Sequence, residues 1–394
     1  MNFPRVFGFV ALVAFSQVAA HAGHAPLPPP TDSGKDLNIS ITAGASYDSN
    51  LFGAATNAID SMVYRLAPKI AYEGSLNDQT YVSTYYQLSA DYFDSRPGEK
   101  ELYGHELMAR FAHAFSPVTN ADITDSFSVV KNPEALLAGV PLNTEQSYLR
   151  NQLDARFSTA PVQKAGLTVK ARAIYYEYDG AALGRSLDRL ESLFGLSGDY
   201  ALLPATKIVA EYRHQEVAYK NLSDNKDKQS DFLLGGADYA VGRKLSASTR
   251  LGLEFRRRSG ERSDTVPYVE FSGKFDHIEQ GFVSAGYVYT LEESSDVVRF
   301  TDTQVSRFFV NAQHPLSSRI FASGSLTYEP SQLQGRRGFS NLDEDVVRLG
   351  VAMAYVAAKN WTAAVTYDYD RVDSDDVSRQ QTRHRIGLTG TFAF

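Results

Sequence analysis

The chain has 394 residues, no cysteine and a formal net charge of −7. The absence of thiols removes disulfide staples and thiolate chemistry, and the acidic balance argues against nucleic acid as a partner. Mean hydropathy is −0.28, and no mature segment approaches the run of about 20 apolar residues that a membrane helix needs.

Residues 1–22 have the layout of a secretory signal. Arg5 supplies the positive charge, Val6 to Phe15 the apolar run, and Ala20-His21-Ala22 a small-residue cleavage site. Residues 23–36 carry Pro26, Pro28, Pro29 and Pro30, which favours an extended, unpacked leader. Export, with no membrane helix and a β pattern downstream, points to the outer membrane of a Gram-negative cell. The leader would then lie in the periplasm.

From residue 37 to 394 the sequence reads as repeated segments of about a dozen residues with period-2 alternation. In the segment from Leu245 to Phe255, Leu245, Ala247, Thr249, Leu251, Leu253 and Phe255 share one face, against Ser246, Ser248, Arg250, Gly252 and Glu254. Burying Arg250 and Glu254 in a dry core would be costly, whereas a wet lumen receives them cheaply. The same division recurs in Leu149–Phe157, Leu167–Tyr176, Val347–Tyr355 and Trp361–Asp370. In the last of these, aromatic residues stand at both ends, as expected for a strand crossing two interfacial girdles.

The connections alternate in length. Short ones fall at Ser75–Gln79, Ser116–Asn120, Val241–Lys244, His277–Gln280, Pro315–Ser318 and Ala357–Asn360. Longer ones fall at Asn50–Ile59, Lys131–Gln146, Asp179–Ser186, Lys220–Gln229, Arg257–Asp264, Glu292–Thr301, Pro330–Glu344 and Arg371–Gln380. This alternation predicts periplasmic turns and extracellular loops. The fold expected is therefore all-β: one transmembrane antiparallel outer-membrane β-barrel of about 18 strands, with both termini periplasmic.

The inward positions are rich in cations: Arg65, Arg110, Arg150, Arg156, Lys170, Arg172, Arg213, Arg250, Arg256, Arg348, Arg383 and Arg385. These are the candidate pore-lining residues, and a positive lumen favours anions. The alternative is that neighbouring strands supply carboxylates that pair with them and stiffen the wall. The acidic surplus is expected in loops, as in Asn341–Asp345 and Ser374–Asp376. Tyr85, Tyr176 and Tyr268 also fall inward, where a ring could stack on a sugar or pack on an inward loop. Leu136, Leu137, Val140 and Leu142 make one long connection unusually apolar, a candidate constriction loop because apolar loop residues need cover.

No Walker loop, zinc spacing or EF-hand loop occurs, so neither metal nor cofactor is expected. His113 and His214 fall near outward positions without a catalytic constellation, and an enzyme is not expected. The chain closes on a strand from Arg383 to Phe394, with Ile386, Leu388, Phe392 and Phe394 on one face. Such an ending resembles the terminal strand of outer-membrane barrels, which the barrel-assembly machinery reads; Phe392 and Phe394 are the candidate signal.

The opening strand runs Ala43-Gly44-Ala45-Ser46-Tyr47-Asp48-Ser49-Asn50-Leu51-Phe52. Its Tyr-Asp-Ser-Asn-Leu-Phe string, after a proline-bearing leader, resembles the opening of the β-barrel porin 2 group. That group includes outer-membrane proteins encoded with exopolysaccharide synthesis and export systems. The resemblance implies a channel passing a secreted polysaccharide, anionic by the lumen reading, with a periplasmic export component and outer-membrane lipid as partners. A general or anion-selective porin, or a non-conducting barrel displaying its loops, are the other readings the residues allow.

Overall fold

In the computed structural model, the described residues are 25–26, 36–131, 147–221, 226–242, 244–261, 263–294, 296 and 299–394. The leader and signal segment are essentially outside this set, as are Leu136, Leu137, Val140 and Leu142. Among the described residues there are eighteen strands. They are β1 (Leu37–Asp48), β2 (Ser61–Asn77), β3 (Thr80–Phe93), β4 (Glu101–Ser116), β5 (Thr119–Val130) and β6 (Tyr148–Val162). Then come β7 (Ala165–Tyr178), β8 (Arg189–Leu203), β9 (Thr206–Tyr219), β10 (Lys228–Val241), β11 (Leu245–Arg258) and β12 (Asp264–Ile278). The last six are β13 (Gly281–Glu293), β14 (Phe300–Pro315), β15 (Ile320–Gly335), β16 (Leu342–Ala358), β17 (Trp361–Ser374) and β18 (Gln381–Ala393). A short helix α1 (Ala181–Leu187) follows β7, and a 3-10 turn (Val377–Arg379) precedes β18.

Each strand pairs antiparallel with its sequence neighbour, and β1 pairs with β18 from Ser40↔Ala393 to Asp48↔Arg385. The sheet is thus closed, and no strand edge is left with unpaired backbone groups in lipid. With an even number of antiparallel strands, the start of β1 and the end of β18 lie at one rim. The short turns lie at that rim, and the longer connections at the other.

The side-chain period sets what each face meets. Leu66, Leu153, Leu251, Leu253, Val351, Met353 and Leu388 are exposed on the outside, the surface that hydrocarbon covers. Tyr47, Tyr64, Tyr92 and Tyr103 stand near the rim of longer connections. Phe115, Tyr200, Tyr239, Phe275, Tyr355 and Trp361 stand toward the other rim. The two sets form interfacial girdles around a transmembrane barrel. The predicted strand faces hold: in β11, Leu251 and Leu253 point out while Glu254, Arg256 and Arg258 are buried inside.

The connections differ in detail from the sequence reading. Two-residue turns at 163–164 and 204–205, and a longer connection at 94–100, add to the connections expected from the sequence. The connection expected over Pro330–Glu344 is shorter, because β15 runs on to Gly335 and β16 starts at Leu342. Asp343, Glu344 and Asp345 therefore belong to a strand rather than to a loop, with Glu344 buried and the two aspartates exposed.

The opening string Tyr47–Phe52 works at the closure. Arg383 of β18 donates Nε to Asp48 Oδ1 at 3.0 Å, with both side chains almost fully buried. The Ser49 amide donates to the His384 carbonyl at 2.9 Å, and Ser49 Oγ accepts the His384 amide at 2.8 Å. Asn50 closes a local turn through Ala54 and donates to Thr382 O at 3.2 Å. Gly53, with φ +62°, allows the reversal that a Cβ would oppose. The chain then turns inward and buries Leu51 against Val63, Phe93 and Leu102.

Two predictions follow from these contacts. Asp48→Asn leaves Arg383 buried beside a neutral partner and should cost about 3 kcal/mol; adding Arg383→Gln should recover part of the loss, read by urea unfolding of the refolded barrel. Leu251→Arg should destabilise by about 2–4 kcal/mol if the residue faces mid-membrane lipid. A loss below about 1 kcal/mol would place Leu251 inside.

Candidate functional site

The lumen is divided into a packed arc and an accessible arc. The packed arc runs along β9–β14. There Tyr219 Oη of β9 donates to Glu293 Oε2 at the end of β13 at 2.6 Å. Lys228 Nζ of β10 lies 2.8 Å from Glu293, and Arg258 Nη2 of β11 donates to Asp302 Oδ1 of β14 at 2.9 Å. Strands three apart are separated by roughly 14 Å along a sheet, so contacts this short need a tightly bent wall. Asp302, Glu254 and Arg258 are buried there, and the Glu293 side chain is 8 % exposed. Buried charge of this kind persists when it is paired, and every one of these cations has a carboxylate partner, although Arg258 Nε and Asp302 Oδ2 make no hydrogen bond.

Midway along β2–β8 the inner wall is more open: side-chain exposure is 42 % for Arg65, 32 % for Arg110 and 29 % for Lys170, against 3 % for Arg213 of β9.

All twelve candidate cations lie on the inner face, but most have carboxylate partners. Arg65 binds Asp91 through Nε and Nη2 at 2.7 and 2.9 Å. Arg110 binds Asp122 at 3.0 and 2.5 Å. Arg172 reaches Asp154 at 2.5 Å. Glu211 serves three cations: Lys170 at 3.2 Å, Arg213 at 2.9 Å and Arg250 at 3.2 Å. Arg250 also clasps Asp238 at 2.8 and 3.1 Å. Arg256 binds Asp264 at 2.6 Å and also pairs with Asp302. Arg383 pairs with Asp48, and Arg385 with Asp370 at 2.8 Å. Arg348 is buried across from Asp370 in register. Arg150 donates to Tyr176 Oη at 3.2 Å and to Gln152. Buried guanidinium nitrogens without a hydrogen-bond partner occur at Arg385 Nε, Arg213 Nη2 and Arg256 Nη1 as well as at Arg156 Nε. Arg156 differs from the others in making no hydrogen bond or ion pair among the described residues: it lies across from Asp122 in register, whose oxygens Arg110 already occupies.

These cations also share a level. Arg110, Arg156, Lys170, Arg213 and Arg250 fall near the middle of β4, β6, β7, β9 and β11. In register, Asp122 of β5 pairs with Arg156, Arg156 with Lys170, Lys170 with Gly195 of β8, and Gly195 with Arg213. The result is a row of cations halfway through the barrel.

The inward tyrosines are mostly occupied. Tyr176 is buried in a cluster with Ile174, Tyr178 and Leu187 of α1, and the Arg189 guanidinium sits 4.4 Å from its ring centre. Tyr268 is buried against Phe232 and receives Arg213 at 3.2 Å. Tyr85 pairs with Glu106 and carries Lys69 Nζ 4.0 Å above its ring. Packing against inward segments thus explains Tyr176. Those segments are α1 and the connection at 49–60, which fold over the inner wall at the rim of longer connections.

The histidines flagged in the sequence face outward. His214 Nδ1 lies 2.8 Å from Asp231, which also accepts Tyr212 Oη at 2.7 Å and Arg257 at 3.0 Å. His113 Nδ1 bonds Thr80 Oγ1 at 2.9 Å, with its ring edge-on to Phe115. Phe394 is exposed, and Phe392 packs edge-on to it at 4.8 Å and tilted against Trp361 at 5.2 Å.

At the rim of longer connections a clamp ties two loops. Arg299 donates to Asp296 at 2.6 Å and to Asp376 at 2.7 Å. The Ser378 hydroxyl and amide also donate to Asp376. These donors, Ser378 first and Arg299 second, hold the Asp376 carboxyl down at about 2.

No family model matches the sequence, and no curated protein sequence matches it. Several solved barrels are similar in structure. OccAB3 of Acinetobacter baumannii is 12 % identical over 91 % of this chain and 100 % of that one, with a TM-score of 0.45. The outer membrane protein opdK of Pseudomonas aeruginosa is 12 % identical over 91 % and 99 %, with a TM-score of 0.47. The siderophore receptor PirA of the same organism is 10 % identical over 93 % and 81 %, with a TM-score of 0.44. At these values the likeness transfers no substrate or partner to this chain.

The clamp yields a pH prediction. Asp376 has a depressed folded-state pKa, so its contribution is fully present above the unfolded carboxylate value of about 4. It should fade as pH falls through about 2. Amide exchange of the 3-10 turn should therefore be flat from neutral pH to about 4, after correction for intrinsic rates, and accelerate below that. Acceleration already near neutrality would contradict the assignment.

Proposed function

We propose that the protein is a passive outer-membrane channel that favours anionic solutes, and not an enzyme. The observation that carries this reading is the row of cations halfway through the barrel, of which Arg110, Arg156 and Lys170 stand on the more open inner wall, inside a barrel whose exterior is apolar. Small anions would meet these three at the lumen's midpoint.

The larger cargo of the same chemistry is a secreted acidic polysaccharide. The resemblance of the opening strand to the porin 2 group supports this finer reading, with the short-turn rim in the periplasm receiving the polymer from an export component. In this orientation Phe392 and Phe394 lie at the periplasmic rim, where the assembly machinery would read them. Outer-membrane lipid covers the apolar wall.

The test is conductance of refolded protein in a planar bilayer under a salt gradient. The reversal potential should show anion preference, and the preference should shrink at high ionic strength as screening grows. Acidic oligosaccharides should interrupt the current more than neutral ones of equal length. Anion preference without sugar sensitivity would retain a small-solute porin and remove the polysaccharide. Cation preference or no conductance would overturn the channel reading, the latter in favour of a barrel that displays its loops.

A further inference from the structure

We infer that Arg156, flanked by Arg110 and Lys170, forms a binding station for carboxylate-bearing sugar units midway through the lumen. This deepens the channel reading and draws its biological sense from it. The register places Arg156 directly across from Lys170. Like charges in directly opposed positions of a sheet are destabilising, and the neighbouring pair Asp154↔Arg172 shows the complementary choice on the same two strands. A local rule broken in one rung and kept in the next marks a functional position rather than wall stiffening.

Carboxylate supply sharpens the point. Arg110 takes both oxygens of Asp122, and Lys170 shares Glu211 with Arg213 and Arg250. Arg156, between them, makes no hydrogen bond or ion pair among the described residues, although Asp122 lies directly across from it in register. Its Nε is buried, so the edge left for a ligand is the pair of terminal Nη groups. An incoming carboxylate fits that edge in planar, two-point geometry. Lys170 and Arg110 add attraction without needing to leave their partners. The ligand class is therefore an anion with carboxylates at sugar spacing, such as a uronic acid polymer, in preference to a neutral glycan.

The experiment is calorimetric titration of the full chain, in neutral detergent, with trigalacturonate and separately with maltotriose. The protein should bind trigalacturonate and not maltotriose, more weakly at high salt. Arg156→Gln should lower the affinity about tenfold, the scale of one charge-assisted contact. Arg156→Lys, keeping charge without the fork, should fall between. Arg257→Gln, on the outer wall, serves as the control and should bind as the parent does. Equal affinity of the parent and Arg156→Gln, or no binding by the parent, would overturn the inference. Because binding is read without ion flow, a barrel that binds but does not conduct refutes the channel and leaves the station standing. A barrel that conducts without this binding does the reverse.

Discussion

Closure of the sheet between β1 and β18 is the constraint on which the structure depends. Hydrocarbon offers no partner for a backbone amide or carbonyl, so an open edge would cost several kcal/mol per unpaired group. The chain meets this with a continuous ladder and places the Tyr47–Phe52 string at the end of it that lies on the rim of longer connections. Asp48, Ser49 and Asn50 each bond to β18, while Leu51 carries the chain inward. A string that resembles a family opening thus has a structural task in this barrel. It secures the join between the two strands farthest apart in sequence.

Once the sheet is closed, alternation decides the rest. One face meets lipid and takes Leu, Val, Phe and Tyr; the other meets water and its own kind. The inner face solves its charge problem in two ways. On the bent arc from β9 to β14, cations and carboxylates lean across several strands and exclude water. On β2–β8 they remain accessible, and there the balance is incomplete at Arg156. Ion selectivity in such a lumen depends less on how many arginines point inward than on which of them lack a partner.

The faces of the strands were legible in the sequence because a period of 2 needs no knowledge of neighbours: Arg250 and Leu251 could be assigned from their own segment. The fourteen connections legible in the sequence delimit fifteen segments; the two-residue turns at 163–164 and 204–205 and the connection at 94–100 complete the eighteen strands. Short turns between two strands of similar pattern leave little compositional trace. Pairing was not legible. Whether Arg156 meets a carboxylate depends on the offset between β5, β6 and β7, which no single segment encodes. Glu211 serving three cations depends on side chains reaching across strands. The inward fold of residues 49–60 and of α1 was not legible either, since their cover comes from the inner faces of neighbouring strands, at Val63 and Phe93 and at Ile174 and Tyr176.

The central claim is that β6 presents a water-filled, anion-attracting wall at Arg156. The chain contains no cysteine, so single-cysteine variants at Leu153, Asp154, Ala155 and Arg156 can be probed without background. The measurement is the reaction rate of each with small anionic and cationic thiol reagents in outer-membrane vesicles. The account predicts reaction at Asp154 and Arg156 and protection at Leu153 and Ala155, with the anionic reagent faster than the cationic one at Asp154 in an Arg172→Gln background, which removes the guanidinium that Asp154 otherwise pairs and retains Arg156. Reaction at Leu153 and Ala155 instead, or equal rates for the two reagents at Asp154, would contradict it.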